Sequence, residues 1–275
     1  MSPNRKREAE MSFGWIDPEL YSINVLLLMD TWIVRYLIEK SDKVFCDHLA
    51  IGLAYNPAIL WYFKNKCPDL ANRLDTLTVA VEPALTPVQV HEVECWLLDK
   101  LDSFVVYVYP TAMEELPYIR LWEPSRLLSL TDFKNKRVLD IGSGTGRLTL
   151  AAASQASLVY ACEPVDRLRE HLQAKLKRMH ITNVYVVDGC LEELPFPDDF
   201  FDIVISGHVF GDDYQVEDTF MSRVVRPGGW IIDCPGEDEH LHPDGPKPQM
   251  LQLGYKSRSY HSPLGGDVLQ YYRQK

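Results

Sequence analysis

The sequence predicts an α/β fold, a doubly wound sheet preceded by a mainly helical region, and three observations carry that expectation. Val138-Leu-Asp-Ile-Gly-Ser-Gly-Thr-Gly-Arg147 reads as a buried strand running into a glycine turn and then a helix. Downstream of it, short apolar runs alternate with a helix-period segment. Residues 254–262 and 267–273 close the chain as two strand-like stretches around Gly265-Gly266.

Taken in order, Met1 to Glu10 is charged and polar, which predicts a frayed tail with no secretory segment. Residues 11–130 form the helical region, a cap over an acceptor or a dimerisation element. Asp17 and Pro18 are placed to open a long helix to about Lys40. Its apolar run Ile23 to Ile38 is too short and too charged, with Asp30 and Arg35 inside, for a membrane span. A second helix is expected over 57–66, and Thr86-Pro87 opens a third to about Leu101 with Val88, Val90, Val93, Leu97 and Leu98 as its apolar content. Phe104 to Tyr109 fits a strand or a buried helix equally well, and Pro124 starts a short helix. From about 131 the sheet region begins. Its strands read as 137–141, 158–162, 183–187, 201–206 and 230–234, and Val165, Leu168, Leu172, Leu176 and Met179 mark an amphipathic crossover helix.

Glycines at 142, 144 and 146 let the turn take positive φ and let a ligand approach backbone N–H groups. Two cofactor classes use such a turn. A dinucleotide site wants G-x-G-x-x-G, but three residues after Gly144 stands Arg147, too bulky for close helix-to-strand packing. With G-x-G-x-G and Asp140 inside the strand, residues 131–275 resemble the class I S-adenosylmethionine-dependent methyltransferases. The Phe201-Asp-Ile-Val form and the Arg226-Pro-Gly-Gly229 turn belong to the same resemblance. It implies a seven-stranded sheet with the last strand antiparallel, and S-adenosylmethionine as donor, leaving S-adenosylhomocysteine as product.

The resemblance also implies a cofactor site. Asp140, Gly142, Ser143, Gly144 and Gly146 form the loop, and Glu163 with Pro164, at the end of the second strand, accepts the ribose hydroxyls. Asp188, Gly189 and Cys190 meet the adenine, and Ser206 ends the fourth strand beside the donor. His208 is the first candidate for a base on the acceptor side, where the carboxyl ends of the strands open; the rival reading is a histidine that orients a loop. Tyr118, Trp122 and Asp212 are candidates for an acceptor pocket, with Trp61 a further aromatic of that kind and Tyr21 and Tyr36 weaker ones. Asp212 and Asp213 lack a recognisable second ligand set, and His240-Leu-His242 lacks a convergent partner, so no metal is assigned.

Composition bears on the acceptor. With 28 basic and 39 acidic residues the net charge is −11, and neither half is basic, which disfavours DNA or long RNA. Arg5-Lys-Arg7 and the Lys175, Lys177, Arg178 cluster read as a solvated tail and helix face. Six cysteines without a C-x-x-C pair suit reduced thiols in a cytoplasm. Ser206 is not followed by the N-P-P-Y or D-P-P-Y of family members acting on base or glutamine amines, and Cys234-Pro235 reverses the Pro-Cys of the cytosine-C5 enzymes. The expectation is a monomeric or homodimeric cytoplasmic enzyme methylating a small or medium-sized acceptor. An RNA or protein methyltransferase and a non-catalytic cofactor- or partner-binding protein are the alternatives.

Overall fold

The computed structural model describes residues 16–18, 20–81, 85–211, 213–236 and 245–275. The expected tail, the Arg5-Lys-Arg7 run, Asp212 and the His240-Leu-His242 motif lie outside the described residues. Two compact units divide between Tyr109 and Pro110, ahead of the position near 130 that the sequence suggested.

Among its described residues the first unit is helical. A 3-10 turn, Ile23–Leu28, is followed by α1 (Thr31–Glu39), so the single helix expected from Pro18 to Lys40 is broken. Met29 and Asp30 are extended, and the Asp30 carboxylate caps α1 by accepting from the Trp32 N–H, a role its short side chain favours over a helix interior. The Met29 carbonyl accepts from the Tyr62 hydroxyl at 2.7 Å. Next come α2 (Lys43–Tyr55), capped by Asp42, α3 (Pro57–Lys66), α4 (Ala71–Val79) and α5 (Pro87–Lys100). The reciprocal Thr86 and Gln89 bonds form a capping box at the start of α5. Of its apolar residues Leu97 and Leu98 are buried, whereas Val88 faces solvent. The ambiguous run at 104–109 is helical, as a 3-10 turn Asp102–Phe104 leading into α6 (Val105–Val108), and it stops before Pro110 as pre-proline sterics require.

The second unit opens with three short helices, α7 (Pro110–Glu115), α8 (Pro117–Arg120) and α9 (Ser125–Leu128). They belong here because Trp122 and Leu127 are buried in one cluster with Phe133, Val138 and Leu148. Then follow β1 (Arg137–Ile141), α10 (Arg147–Ala153), β2 (Leu158–Cys162), α11 (Asp166–Arg178), β3 (Val184–Val187) and β4 (Phe201–Ser206). After these come α12 (Tyr214–Val224), β5 (Val225–Asp233), α13 (Pro248–Gln252), β6 (Lys256–His261) and β7 (Asp267–Gln274). The fifth strand thus begins before the Pro-Gly-Gly turn instead of after it, and the pairing with β4 shifts register between Phe201 and Ile203 to absorb the extra residues.

The sheet order is β3-β2-β1-β4-β5-β7-β6, with β1 to β5 parallel and β7 antiparallel to both neighbours. This is the expected seven-stranded, doubly wound sheet. Leu139, Val204 and Ile231 pack to one face with Met221 and Val224 of α12; Val138, Ile203 and Ile232 pack to the other with Leu148 and Ala152 of α10. Strand order reverses between β1 and β4, and in open α/β sheets ligands bind beyond the carboxyl ends of the strands at such a switch point. No described helix is long and apolar enough to cross a membrane.

Candidate functional site

The loop between β1 and α10 holds Gly142, Gly144 and Gly146 at φ of 66°, 54° and 93°. At Gly146 the requirement is also steric, since an added Cβ would lie 2.5 Å from Leu172 Cδ1 of the crossover helix. Two buried carboxylates hold the loop. Asp140, within β1, accepts from Thr149 Oγ1 of α10 at 2.5 Å, which ties the strand to the helix across the turn. Glu163 Oε2 accepts the Gly144 N–H at 2.9 Å and its Oε1 the Val165 N–H at 3.1 Å. Burial raises both carboxyls to about 7, Thr149 partly opposing this at Asp140 and the two N–H donors partly opposing it at Glu163.

The fit to a nucleoside-bearing sulfonium donor can be judged from what these bonds leave over. Asp140 Oδ1, Ser143 Oγ and Thr145 Oγ1 are buried with no hydrogen-bond partner among the described residues. A carboxylate has more acceptor sites than the single bond on each Glu163 oxygen uses. The donor set therefore suits a ligand rich in hydroxyl and amino groups.

At the neighbouring strand ends Asp188 is exposed and its Oδ1 accepts from Arg169 at 2.9 Å. The same guanidinium donates to the Glu163 carbonyl at 2.7 Å and pairs with Asp166. Arg169 thus joins the ends of β2 and β3, a role with no signal in the sequence beyond an Asp three residues before it in a helix. Gly189 is required by space, because a Cβ there would lie 2.9 Å from Cys162 Sγ. Pro164 and Cys190 are partly buried beside these residues, and burial pushes the Cys190 thiol up.

Across the switch point, Ser206 is fully buried, donates its hydroxyl toward Asp233 Oδ1 at 3.3 Å, and accepts the Cys234 N–H on its carbonyl at 2.7 Å. Both bonds are to the end of β5, and the Ser206 backbone pairs with Ile141 of β1. His208, two residues on, is exposed. Tyr118 is half-buried against Gly236, where an added Cβ would come within 2.6 Å of its ring. Trp122 is packed in the core and its ring is covered by the Arg147 guanidinium at 4.8 Å, so it offers no open pocket wall. Arg147 also donates to the carbonyls of Cys234 and Pro235 at 3.0 and 3.1 Å. The residue that argued against a dinucleotide loop therefore fastens the end of β5. Asp213 caps α12 by accepting the Val216 N–H. In the first unit Trp61 and Tyr21 are exposed, while Tyr36 stacks on Trp32.

Residues 139–233 match a family described as a methyltransferase domain. A protein of Mycobacterium tuberculosis with no described activity is 37% identical over 97 residues, covering 34% of this chain and 35% of that protein. A demethylmenaquinone methyltransferase of Geobacillus sp. is 30% identical over 118 residues, covering 40% of this chain and 50% of that enzyme. A SAM-dependent methyltransferase of solved structure from Aquifex aeolicus is 17% identical, with a TM-score of 0.48, over 60% of this chain and 95% of that one. The chain spans about a third of the length of the mycobacterial relative and half that of the Geobacillus one.

Proposed function

We propose, from the match of residues 139–233 to a methyltransferase domain, that the chain is a class I S-adenosylmethionine-dependent methyltransferase that moves a methyl group from S-adenosylmethionine to a small or medium-sized acceptor. The observation that carries this reading is the pair of buried carboxylates gripping a loop of three positive-φ glycines, with buried hydroxyls left over. In the proposal Glu163 accepts the ribose hydroxyls and Asp188 the adenine amino group. Gly142, Gly144 and Gly146 let the remainder of the donor approach the loop with no side chain in the way, and the Ser143 and Thr145 hydroxyls are left to bond it.

The bound donor supplies an electrophilic methyl on a sulfonium, displaced in line by the acceptor atom. The protein's part is then to hold the two reactants at near-attack distance, which needs few side chains. His208 is proposed as the group that takes a proton where the acceptor must lose one, since it follows β4 at the carboxyl edge of the sheet. Tyr118 is proposed as a wall of the acceptor site. A small acceptor is supported by the acidic balance of the chain and by the acceptor that the name of the Geobacillus relative specifies.

Isothermal titration of the full chain with S-adenosylhomocysteine tests the donor reading, and absence of binding overturns it. A tritiated-methyl assay over a small-molecule panel and cell extract tests the acceptor class. Label in the small-molecule fraction supports the proposal, and label confined to RNA or protein overturns it.

A further inference from the structure

One cluster of charged side chains lies against the glycine loop but outside the residues the donor reading uses. Lys175 Nζ, on α11, donates to the Thr145 carbonyl in the middle of the loop at 3.1 Å and to Glu114 Oε1 of α7 at 2.5 Å. His171, one turn earlier on α11, approaches the same Glu114 oxygen at 3.1 Å. The three side chains are largely shielded from solvent, with 21%, 29% and 15% of Lys175, Glu114 and His171 exposed, so screening weakens their attraction less than at an open surface. Burial pushes the Glu114 carboxyl up, and the bond from Lys175 with the approach of His171 outweighs it and holds the group below its ordinary value.

The residue before Glu114 shows what the cluster fastens. Met113 is buried, and its sulfur lies 3.3 Å from where a Cβ on Gly144 would stand, so α7 lies against the loop at its central glycine. Gly144 is also the residue whose N–H bonds Glu163. A single loop residue therefore touches the ribose-binding carboxylate of the donor reading and a helix that precedes the matched family region by more than twenty residues.

We propose that Glu114 and Lys175 form a latch that holds α7 against the glycine loop, so that Met113 is a wall of the donor site and the latch sets donor affinity. Glu114 and Lys175 are positioning residues, acting through Met113 and the Thr145 carbonyl. α7 alone, at six residues, is too short to hold a helical conformation or a fixed position by local propensity, and needs such a tertiary anchor.

This inference rests on the donor reading, and the experiment separates the two. Glu114→Gln, Lys175→Met and the double variant are titrated with S-adenosylhomocysteine beside the wild-type chain, with the melting temperature of each unliganded protein as a check of folding. Each single change is expected to weaken binding about tenfold, and the double change no more than the worse single one, because the two residues act as a unit. Full affinity in both single variants, or additive losses in the double one, overturns the latch and leaves the donor reading standing; wild-type protein that binds nothing removes both. Hydrogen exchange of the wild-type chain gives an independent check that needs no variant. Amides of residues 111–116 are expected to gain protection when S-adenosylhomocysteine is added, and unchanged exchange there overturns the proposal.

Discussion

The two sides of the switch point are built differently. On the β1 and β2 side, buried carboxylates bond to backbone N–H groups and to a helix hydroxyl, and each glycine is fixed by φ, by a neighbouring side chain, or by both. On the β4 and β5 side the polar atoms of Ser206 and Arg147 are used within the protein, holding one strand end to the next, and His208 lies exposed. The first side is the one the proposal gives to the donor, which every reaction of such a domain shares. The second fixes the ends of the strands and exposes a loop side chain, and in the proposal it is the side that meets the acceptor.

The largest effect expected from that difference is at Gly146. Gly146→Val places a β-branched residue at positive φ with Leu172 in the way, so about 3 kcal/mol of stability should be lost, together with donor binding. Denaturant melts and titration with S-adenosylhomocysteine would measure both. Retention of either would mean that the loop is more compliant than its contacts indicate. Next is Glu163→Ala, which leaves the Gly144 and Val165 N–H groups without their acceptor and removes the ribose contact of the proposal. Binding should weaken by about a hundredfold, the loss of one charge-assisted pair of hydrogen bonds.

The same contrast explains what is legible in the sequence. β1, β2 and β4 can be drawn to the residue, because apolar runs in a buried parallel sheet are bounded by the polar and glycine residues that end them. The positions of the glycine loop, Glu163 and Asp188 at strand ends are legible for the same reason. Local patterning fails where a long-range contact decides. Nothing near Met29 announces that Asp30 will cap a new helix, with the Tyr62 hydroxyl on the Met29 carbonyl. Trp122 reads as a pocket aromatic until Arg147 is seen on its face, and Lys175 reads as a solvated helix residue until Glu114 arrives from sixty-one positions away. The start of the second unit is likewise set by where α7 to α9 pack and not by the first strand.

A smaller effect is expected from pH. Burial is the main cause that lifts Asp140 and Glu163 to about 7, so both bind protons in the folded chain at pH values where the unfolded chain has released them. Their contribution to stability is therefore full below about pH 4 and falls as the pH rises through about 7. Donor affinity should move the other way, because the ionised Glu163 accepts both ribose hydroxyls and the protonated acid does not. Between pH 6 and 8 binding of S-adenosylhomocysteine should strengthen about fivefold while the melting temperature of the unliganded protein falls. Glu163→Gln should flatten most of the affinity change, and a profile that stays steep in that variant would assign it to Asp140.

The smallest effect on the donor is expected from the acceptor side. His208 follows the last residue of β4 by two positions and is exposed, whereas Glu163 is buried. His208→Ala should leave affinity for S-adenosylhomocysteine within about twofold of wild type, and the melting temperature within about 2 °C, as for surface substitutions generally. Turnover with an acceptor that must lose a proton should fall by about a hundredfold, the usual contribution of a positioned base. A comparable fall with an acceptor that needs no deprotonation would point to His208 orienting its loop and not moving a proton. A clear loss of donor affinity would break the division itself, because the two sides of the switch point would then be one binding surface.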